Sequence, residues 1–294
     1  MTGGRTTCAV LGAGLIGIDL AEKIHRSGSL DLALVVGRDQ QSLGLRRAAE
    51  LGCATGAGGL ESLIGFGPVD VVFDASNADC HPTHWCRLRE TGTTVIDLTP
   101  AGLGTAIVPT INGDQVLAHR HTNLVSCGGQ AAIPVLHALA QYMQPTYIEV
   151  VSTAASASAG RATRLNLDQY IATTQDAIHQ FTGAPQVKVM VNLSPAKPEP
   201  PFRVVVTALG PTGPPGPLHA AVAAVAAQVR AYAAGFVVSS VAVDDRQVRV
   251  ALEVTAEGGR LPRYAGNLDL INGAAVQVAE QYAAALPSQT ANHA

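Results

Sequence analysis

The sequence predicts an α/β protein with a doubly wound parallel sheet, followed by a second domain of the α+β type. Three observations lead to this prediction. A glycine turn, GAGLIG at 12–17, stands between an apolar strand and a helix. Strands and helices then alternate as far as about residue 125, which is typical of a parallel sheet covered on both faces. After residue 130 the strands become longer and more widely spaced, as in a mostly antiparallel sheet.

Length and composition set the limits of this prediction. The chain has 294 residues, of which 47% are hydrophobic and 14% charged, enough for a large core and near the length at which one domain becomes two. The net charge of -3 and the scattered Lys and Arg residues argue against a nucleic-acid or membrane surface. We therefore expect a small-molecule partner.

The cysteines and the most apolar segment indicate a cytoplasmic protein. Five cysteines at irregular spacing do not resemble a secreted disulfide framework, so we expect reduced thiols. The start of the chain lacks the apolar stretch of a signal peptide. The segment HAAVAAVAAQVRAYAAGFVV is interrupted by Gln228 and Arg230, which favours a packed helix over a membrane span.

The elements follow from periodicity and from turn residues. In the first half, strands are predicted at TTCAVL, DLALVVG, VDVVFDAS and TTVIDLT, and helices at DLAEKIHRSG, SLGLRRAAELG and near HWCRLRETG. In the second half, strands are predicted at PTYIEVVSTAAS, QVKVMVNLS, PFRVVVTALG, GFVVSSVAV and RQVRVALEV, and helices at LDQYIATTQDAIHQF and HAAVAAVAAQVRAYA. A hairpin is expected at Asp244 and Asp245, and GNLDLINGAAVQVAEQYAAAL predicts a final amphipathic helix.

The glycine turn has the form of a dinucleotide fingerprint. Gly12, Gly14 and Gly17 spell G-x-G-x-x-G after a strand and at a helix start, where backbone N–H groups can face a pyrophosphate. Asp39 follows the second strand and is placed to bind the adenosine ribose. This pattern predicts a Rossmann-type domain that binds NAD. Arg38 could instead hold the 2'-phosphate of NADP, so NADP stays open.

Cys127 stands directly before a predicted helix and two glycines, in VSCGGQ. The positive end of the helix dipole should lower the pKa of this thiol, which would make it a nucleophile. Gly128 and Gly129 would let backbone N–H groups bind a substrate oxyanion. The alternative is a small buried hydrophobic residue, but the nucleotide fold before it favours catalysis.

A cluster of metal-binding residue types, CHPTHWC, contains Cys80, His81, His84 and Cys86. Its spacing matches no common zinc pattern, and it falls where a helix should begin, so we predict no metal site. Asp74, Asp97 and His121 could each be a buried acid or base, although each also suits a strand end or a loop.

Several segments together resemble the acylating acetaldehyde dehydrogenases, which partner a 4-hydroxy-2-oxovalerate aldolase in bacterial aromatic degradation. The segments that carry the resemblance span nearly the whole chain: VDVVFDAS, VIDLTPAGLG, VSCGGQAAIP, SAGRATRLNLDQY and LPRYAGNLDLINGAA. Their agreement in order is far more specific than the glycine fingerprint.

The resemblance implies that Cys127 carries the acyl group as a thioester, with coenzyme A as co-substrate. It assigns NAD binding to Ala13, Gly14, Leu15 and Ile16 of the glycine loop, to Ser158, Ala159, Gly160, Arg161, Ala162, Thr163, Arg164, Leu165 and Asn166, and to Asn267. It also implies a homodimer and an aldolase-like partner. The expected domains are then 1–127 for the cofactor, completed by a C-terminal helix at 265–294, and 128–264 for substrate and dimerisation.

The chain differs from the family in two places: a carboxylate of the family is missing, and the cofactor loop has a different sequence. After a proline-rich loop the family has an Arg–Asp pair whose acid is thought to help to activate the nucleophile, whereas this chain has Arg203 and then Val204. Either the helix dipole and a neighbour such as His121 replace it, or the activity differs from that of the family. The family's G-x-I-D-P loop is also changed, since Arg38 precedes Asp39.

Two alternative functions stay open from the sequence. A phosphorylating semialdehyde dehydrogenase or acyl-phosphate reductase also joins a dinucleotide domain to a cysteine-bearing domain, but it would need phosphate instead of coenzyme A. A non-catalytic NAD-binding subunit for an aldolase is suggested by Val204, although the cysteine motif argues against it.

Overall fold

The computed structural model describes residues 5–286, apart from the side chains of residues 161 and 162. The chain forms two compact units. The first takes in the residues up to Thr99, Leu103–Asn123 and the chain from Ala275 onward, and the second consists of Pro100–Gly102 and Leu124–Ala274. The final helix, Gly266–Ala285, therefore belongs partly to each unit. Residues 287–294 of the predicted final helix lie outside the described residues.

The first unit contains a seven-stranded parallel sheet in the order β3-β2-β1-β4-β5-β7-β6. Its strands are β1 (Thr6–Leu11), β2 (Leu30–Val36), β3 (Ala54–Gly56), β4 (Val71–Asp74), β5 (Thr94–Asp97), β6 (Thr105–Ala106) and β7 (His121–Asn123). The chain runs outward from β1 to β3 and then returns to β4 on the other side of β1. This reversal makes the sheet doubly wound, as predicted, and creates a switch point at which such folds bind ligands.

Short helices connect these strands: α1 (Leu15–Arg26), α2 (Leu43–Glu50), α3 (Leu60–Phe66), α4 (His81–Leu88) and α5 (Pro109–Asn112), with a 3-10 turn at Gly113–Leu117. Helix α4 begins earlier than predicted, because Pro82 occupies its first turn, where a missing N–H does no harm. The strand and helix at residues 54–66 were not predicted, since neither is long enough to show a clear period.

The second unit contains a five-stranded sheet in the order β11-β12-β10-β8-β9. Its strands are β8 (Tyr147–Ala155), β9 (Val187–Ser194), β10 (Phe202–Leu209), β11 (Phe236–Asp244) and β12 (Gln247–Val254). The pairs are antiparallel except for β8 with β9, which confirms the predicted mostly antiparallel sheet. Its helices are α6 (Cys127–Ala140), α7 (Arg161–Leu165), α8 (Leu167–Thr182), α9 (Pro215–Arg230) and the first part of α10 (Gly266–Ala285), with 3-10 turns at Ser156–Ser158 and Arg263–Ala265.

The two faces of this second sheet differ in burial. Ser152, Val204 and Leu252 are paired across β8, β10 and β12 and are buried, on the face packed by α6, α8 and α9. The alternate residues Val151 and Val205 are only half-buried. The alternation follows from the two-residue period of a strand, and it places Val204 on the same face as the helix that begins at Cys127.

Helix α9 contains most of the apolar segment that the sequence assigned to a packed helix. Its buried residues recur at helical spacing: Leu218, Val222, Val225, Ala226 and Val229. Its other residues are at least partly exposed. Among residues 5–286, no helix is long and apolar enough to cross a membrane.

Candidate active site

The glycine motif forms a tight turn between β1 and α1. Gly12 has a φ of +122°, and a β-carbon added there would lie 2.5 Å from the carbonyl oxygen of Ala75. A β-carbon on Gly17 would collide with the carbonyl oxygen of Gly12, whereas one on Gly14 would meet nothing within 4 Å. Gly14 caps α1, whose first turn has no acidic residue. The loop is therefore an open cradle at a helix N-terminus, which fits a pyrophosphate.

The predicted ribose-binding pair follows β2. Arg38 and Asp39 are both exposed, and one carboxylate oxygen of Asp39, Oδ1, accepts the backbone N–H of Gln41 at 2.9 Å. The Asp39 side chain is thus oriented by a local turn while its other oxygen carries no bond to the described residues. A ribose hydroxyl can bind the carboxylate, and a 2'-phosphate can bind the guanidinium.

Cys127 is the first residue of α6 and is partly exposed. The preceding Ser126 caps the helix, since its Oγ accepts the N–H of Gly129 at 2.9 Å. Val125 has a φ of +62°, which is rare for a β-branched residue. Such a conformation costs about 1–3 kcal/mol and concentrates at functional sites. The strained turn before Cys127 therefore marks it as a candidate nucleophile.

Tyr170 of α8 contacts the start of α6. Its hydroxyl oxygen accepts the N–H of Gly128 at 2.8 Å and lies 3.5 Å from the Cys127 sulfur. A β-carbon on Gly128 would collide with this hydroxyl, so glycine at 128 makes room for the tyrosine. Because the backbone N–H is the donor, the phenol keeps its own proton to donate to the sulfur. Tyr170 was not predicted as a site residue, since nothing in the local sequence pattern relates α8 to α6.

These contacts change the expected chemistry of the thiol. Burial raises the pKa of Cys127. Hydrogen bonds from Tyr170 and from the Gly128 backbone lower this pKa, but by less than burial raises it. The helix N-terminus was expected to lower this pKa. The result differs because desolvation of a thiolate outweighs the partial charges that favour it. Burial also raises the pKa of Tyr170 well above its ordinary value, with Cys127 adding to the effect, so the phenol stays protonated at neutral pH.

The two backbone N–H groups that were predicted to form an oxyanion hole have hydrogen-bond acceptors within the chain. The N–H groups of Gly128 and Gly129 both donate within the chain, the first to Tyr170 and the second to Ser126. Neither is free for a substrate oxygen in this state. The Tyr170 hydroxyl lies 3.5 Å from the Cys127 sulfur and keeps a proton that it can donate.

The segment 158–166 runs from the last residue of a 3-10 turn through a two-residue link and α7 to the residue that follows α7. Arg164 donates to the carbonyl oxygen of Ser156 at 2.7 Å. Asn267 Nδ2 donates to the carbonyl oxygen of Ser158 at 3.4 Å. Asn166 and Asn267 are buried, and the Oδ1 atom of each has no hydrogen-bond partner among the described residues. Two orphaned amide oxygens are consistent with a polar ligand that completes them.

The other predicted cofactor residues of this segment differ in exposure. Ala159 is buried, Gly160 and Thr163 are half-buried, and Leu165 is 61% exposed. The side chains of Arg161 and Ala162 lie outside the described part of the chain.

Val204 and Arg203 lie on opposite faces of β10. Val204 is fully buried and pairs with Ser152, whose hydroxyl oxygen, like that of Tyr170, borders Gly128. Arg203 points the other way and binds Glu253 at 3.0 Å. Position 204, where the family resemblance led us to expect a carboxylate, therefore belongs to the buried face of the sheet and carries an apolar side chain.

A second group of polar residues meets in the first unit. His81 Nδ1 lies 2.8 Å from Asp74 Oδ2, while its Nε2 lies 2.8 Å from His121 Nε2 and 3.2 Å from Asp97 Oδ2. His84 Nδ1 also contacts Asp74, at 2.7 Å. We call these five residues the histidine cluster. Asp74 and Asp97 end neighbouring strands in register, which is why they meet at one edge of the sheet.

Burial and mutual contact shift the pKa values in the histidine cluster. For Asp74, burial is outweighed by hydrogen bonds from His81 and His84, which lower the pKa to about 2. Burial raises the pKa of Asp97 to about 7 and lowers that of His121 to about 4. Hydrogen bonding to Asp74 overcomes burial and raises the pKa of His81.

The four cysteine and histidine residues at 80–86 do not lie together as one group of possible metal ligands. Cys80 and Cys86 are exposed free thiols, whereas His81 and His84 point to Asp74. His121, which we considered as a neighbour of Cys127, instead bonds to His81 and stacks on Trp85 with ring centroids 4.1 Å apart.

Comparison with known proteins places this geometry in a family. Residues 127–262 match the model for the prokaryotic acetaldehyde dehydrogenase dimerisation domain. An acetaldehyde dehydrogenase of Streptomyces griseus subsp. griseus is 51% identical over 95% of this chain and 90% of its own length. One from Pectobacterium atrosepticum is 40% identical over 94% of this chain and 95% of its own.

Solved structures with the same fold have little sequence identity. An aspartate semialdehyde dehydrogenase II of Vibrio cholerae has a TM-score of 0.67 at 13% identity and covers 97% of this chain and 100% of its own. Aspartate semialdehyde dehydrogenase with NADP from Candida albicans has a TM-score of 0.67 at 12% identity, over 95% and 98% of the two chains. These similarities concern the fold. The close relatives show that the chain belongs to the acetaldehyde dehydrogenase family and is a nicotinamide-dependent dehydrogenase.

Proposed function

We propose that the protein is a coenzyme A-acylating aldehyde dehydrogenase, which interconverts a short-chain aldehyde, coenzyme A and NAD⁺ with acyl-CoA and NADH. One observation carries the proposal. Cys127 lies at a helix N-terminus, and a protonated phenol lies 3.5 Å from its sulfur. A thiol with a fixed hydrogen-bond donor beside it suits covalent acyl transfer.

The chain provides groups for both ends of the cofactor. Gly12, Gly14 and the start of α1 would hold the pyrophosphate, since the loop is open at Gly14. Asn166 and Asn267 would bind the nicotinamide half through their orphaned amide oxygens. The chemistry that a nicotinamide cofactor supplies when bound is hydride acceptance.

The adenosine end decides between NAD and NADP. We favour NAD, because Asp39 is oriented by the Gln41 N–H and a carboxylate would repel a 2'-phosphate. Arg38 beside it is exposed and is the residue that would admit NADP. Arg38→Ala should therefore weaken NADPH binding while NADH binding changes little.

Cys127 begins the reaction as a thiolate that attacks the aldehyde carbonyl carbon. A carbon–sulfur bond forms, and the carbonyl π electrons move to oxygen. The Tyr170 hydroxyl would donate a hydrogen bond to the sulfur before the attack and to this oxygen after the attack. Loss of hydride from this carbon restores the carbonyl and leaves an acyl thioester on Cys127. The thiolate of coenzyme A then adds to the thioester, and Cys127 leaves with its electron pair.

The test is oxidation of NADH and NADPH by acyl-CoAs of increasing chain length. Cys127→Ala should abolish turnover and acyl-enzyme formation while retaining cofactor binding. The exposed thiol Cys80 offers a matched control, since Cys80→Ala should retain activity. Turnover in Cys127→Ala would contradict the proposal.

The assay also separates the two alternative functions. A phosphorylating dehydrogenase would oxidise an aldehyde with inorganic phosphate and would not need coenzyme A. A non-catalytic subunit would bind NAD without turnover in either assay. Iodoacetamide labelling at Cys127 distinguishes these cases further, because a reactive thiol is required by both enzymes and not by a scaffold.

We further propose a homodimer that forms through the open face of the second sheet. Val151, Val205 and Ala251 form a half-buried apolar row on that face, and the sheet lies within the residues that match the dimerisation model. Half-buried aliphatic residues in a continuous row are typical of a surface that a second copy covers. An aldolase-like partner is proposed from the family resemblance, and co-purification of the two chains would test it.

A further inference from the structure

We propose that His81, Asp97 and His121 form a binding site for one divalent transition-metal ion of the zinc class. The ligand atoms would be Nε2 of each histidine and Oδ2 of the aspartate. The three residues belong to the first unit, whereas Cys127 belongs to the second, and none has a role in the proposed reaction.

The ligand atoms already have nearly the required spacing. His81 Nε2 lies 2.8 Å from His121 Nε2 and 3.2 Å from Asp97 Oδ2, and all three atoms lie within 4.8 Å of one another. In a tetrahedral site with metal–ligand bonds of about 2.0–2.1 Å, ligand atoms are about 3.3–3.4 Å apart. Binding would therefore require the two imidazoles to separate by roughly 0.5 Å.

His81 is held in the orientation that a metal ligand needs. Its Nδ1 lies 2.8 Å from Asp74 Oδ2, so the ring donates there and directs the Nε2 lone pair toward His121 and Asp97. A carboxylate behind a ligating histidine is a common feature of metal sites, because it fixes the tautomer and makes the ligand more basic. Ser76 in turn donates its backbone N–H to the other Asp74 oxygen at 3.1 Å.

The other two ligands are also held in place. Asp97 accepts the backbone N–H of Thr99 on Oδ1 at 2.7 Å and the Asn123 side-chain amide on Oδ2 at 2.8 Å. The His121 ring stacks on Trp85 with an interplanar angle of 20°. His81 and Asp97 are fully buried while His121 is half-buried, which leaves the His121 side for ion entry and for a water ligand.

Charge favours a cation at this position. Asp74 and Asp97 are both fully buried, and their charged partners among the described residues are imidazoles. Buried carboxylates are stable when they are paired with positive charge or coordinate a metal. Two imidazoles with one carboxylate form a ligand set that suits zinc and its first-row neighbours.

The test measures metal binding to the full-length, untagged chain. After dialysis against a chelator, one equivalent of Co²⁺ should give the visible absorption of a tetrahedral site, and Zn²⁺ should abolish it. Zinc retained after gel filtration, measured by mass spectrometry, should approach one ion per chain, and the ion should raise the melting temperature.

Matched variants locate the ion. His121→Ala should weaken binding by roughly 100-fold, and His84→Ala, which removes a neighbour that is not a ligand, by no more than roughly tenfold. Cys80→Ser, Cys86→Ser and Cys127→Ser should all bind as the wild type does, which separates this site from the exposed thiols and from the proposed reaction.

Three results would overturn the proposal. One is the absence of cobalt absorption and of retained zinc in the wild type, which would mean that His81 and His121 simply share a hydrogen bond. Another is unchanged binding by His121→Ala. The last is loss of the ion in a cysteine variant. Since Cys127→Ser lacks the nucleophile, its metal binding does not depend on whether the proposed enzymatic function is correct.

Discussion

Tyr170→Phe tests the proposed role of the phenol directly. The substitution keeps the aromatic ring in its buried position and removes the hydroxyl that lies 3.5 Å from the Cys127 sulfur and accepts the Gly128 N–H. The thiolate then loses a hydrogen-bond donor in a site where burial already raises the pKa of Cys127. We expect a further rise in that pKa and a slower reaction with electrophiles.

The size of the effect follows from the energy of the lost bond. A hydrogen bond to a charged group contributes about 1.5–3 kcal/mol, and 1.36 kcal/mol corresponds to one pKa unit. The pKa of Cys127 should therefore rise by about 1–2 units, and the thiolate fraction at neutral pH should fall about 10- to 100-fold. The orphaned Gly128 N–H should also decrease the free energy of unfolding by about 1–3 kcal/mol.

The assay is the pH dependence of iodoacetamide alkylation at Cys127, measured in a background where the exposed Cys80 and Cys86 are replaced by serine. The alkylation profile of Tyr170→Phe should shift to higher pH, and turnover with acyl-CoA should fall in parallel. Tyr142→Phe, at a tyrosine that is 51% exposed, is the control and should match the wild type. An unshifted profile in a folded Tyr170→Phe variant would refute the role of the phenol.

Three other predictions concern the cofactor loop, alkaline stability and the dimer. Gly12→Ala should abolish NADH binding in a fluorescence titration, because its φ is positive and its β-carbon would collide with backbone, whereas Gly14→Ala should fold normally because the added carbon meets open space. Burial raises the pKa of Cys8 from 9.0 to about 12, so its contribution to stability is complete below pH 9 and is lost as pH rises toward 12; urea denaturation should show a shallower decline in Cys8→Ala. Val205→Lys should weaken dimerisation by roughly tenfold or more in sedimentation experiments, while Phe66→Lys, on the first unit, should not.

The sequence predicted the long elements well because their signals are local. Helix α8 and strand β10 each show their own period, and the glycine turn between β1 and α1 is recognised from a few adjacent residues. The short elements between residues 54 and 66 have no such signal, since three strand residues cannot establish a period. They form because neighbouring β2 provides the pairing partner.

The site was only partly predictable, because its contacts join residues that are distant in sequence. Cys127 is recognisable from its own motif, but Tyr170 is 43 residues away and reaches it through the packing of α8 on α6. The histidine cluster is also formed by residues that are distant in sequence. Asp74 and Asp97 could have been paired from the rule that adjacent parallel strands end at one edge, whereas His121 reaches His81 across 40 residues.

Val204 and Tyr170 both bear on how Cys127 could be activated. Val204 pairs with Ser152 on the buried face of the second sheet, and the hydroxyl oxygens of Ser152 and Tyr170 both border Gly128. An ionised carboxylate at position 204 would be buried in the strand that α6 packs against, and it would need a proton or a hydrogen-bond donor of its own. With valine there, that need does not arise, and burial raises the pKa of the Cys127 thiol. A neutral phenol, fixed by the Gly128 N–H, can stabilise the thiolate without adding charge. In the proposed reaction, Cys127 would therefore be activated by a hydroxyl on another helix, and no acid at position 204 would be required.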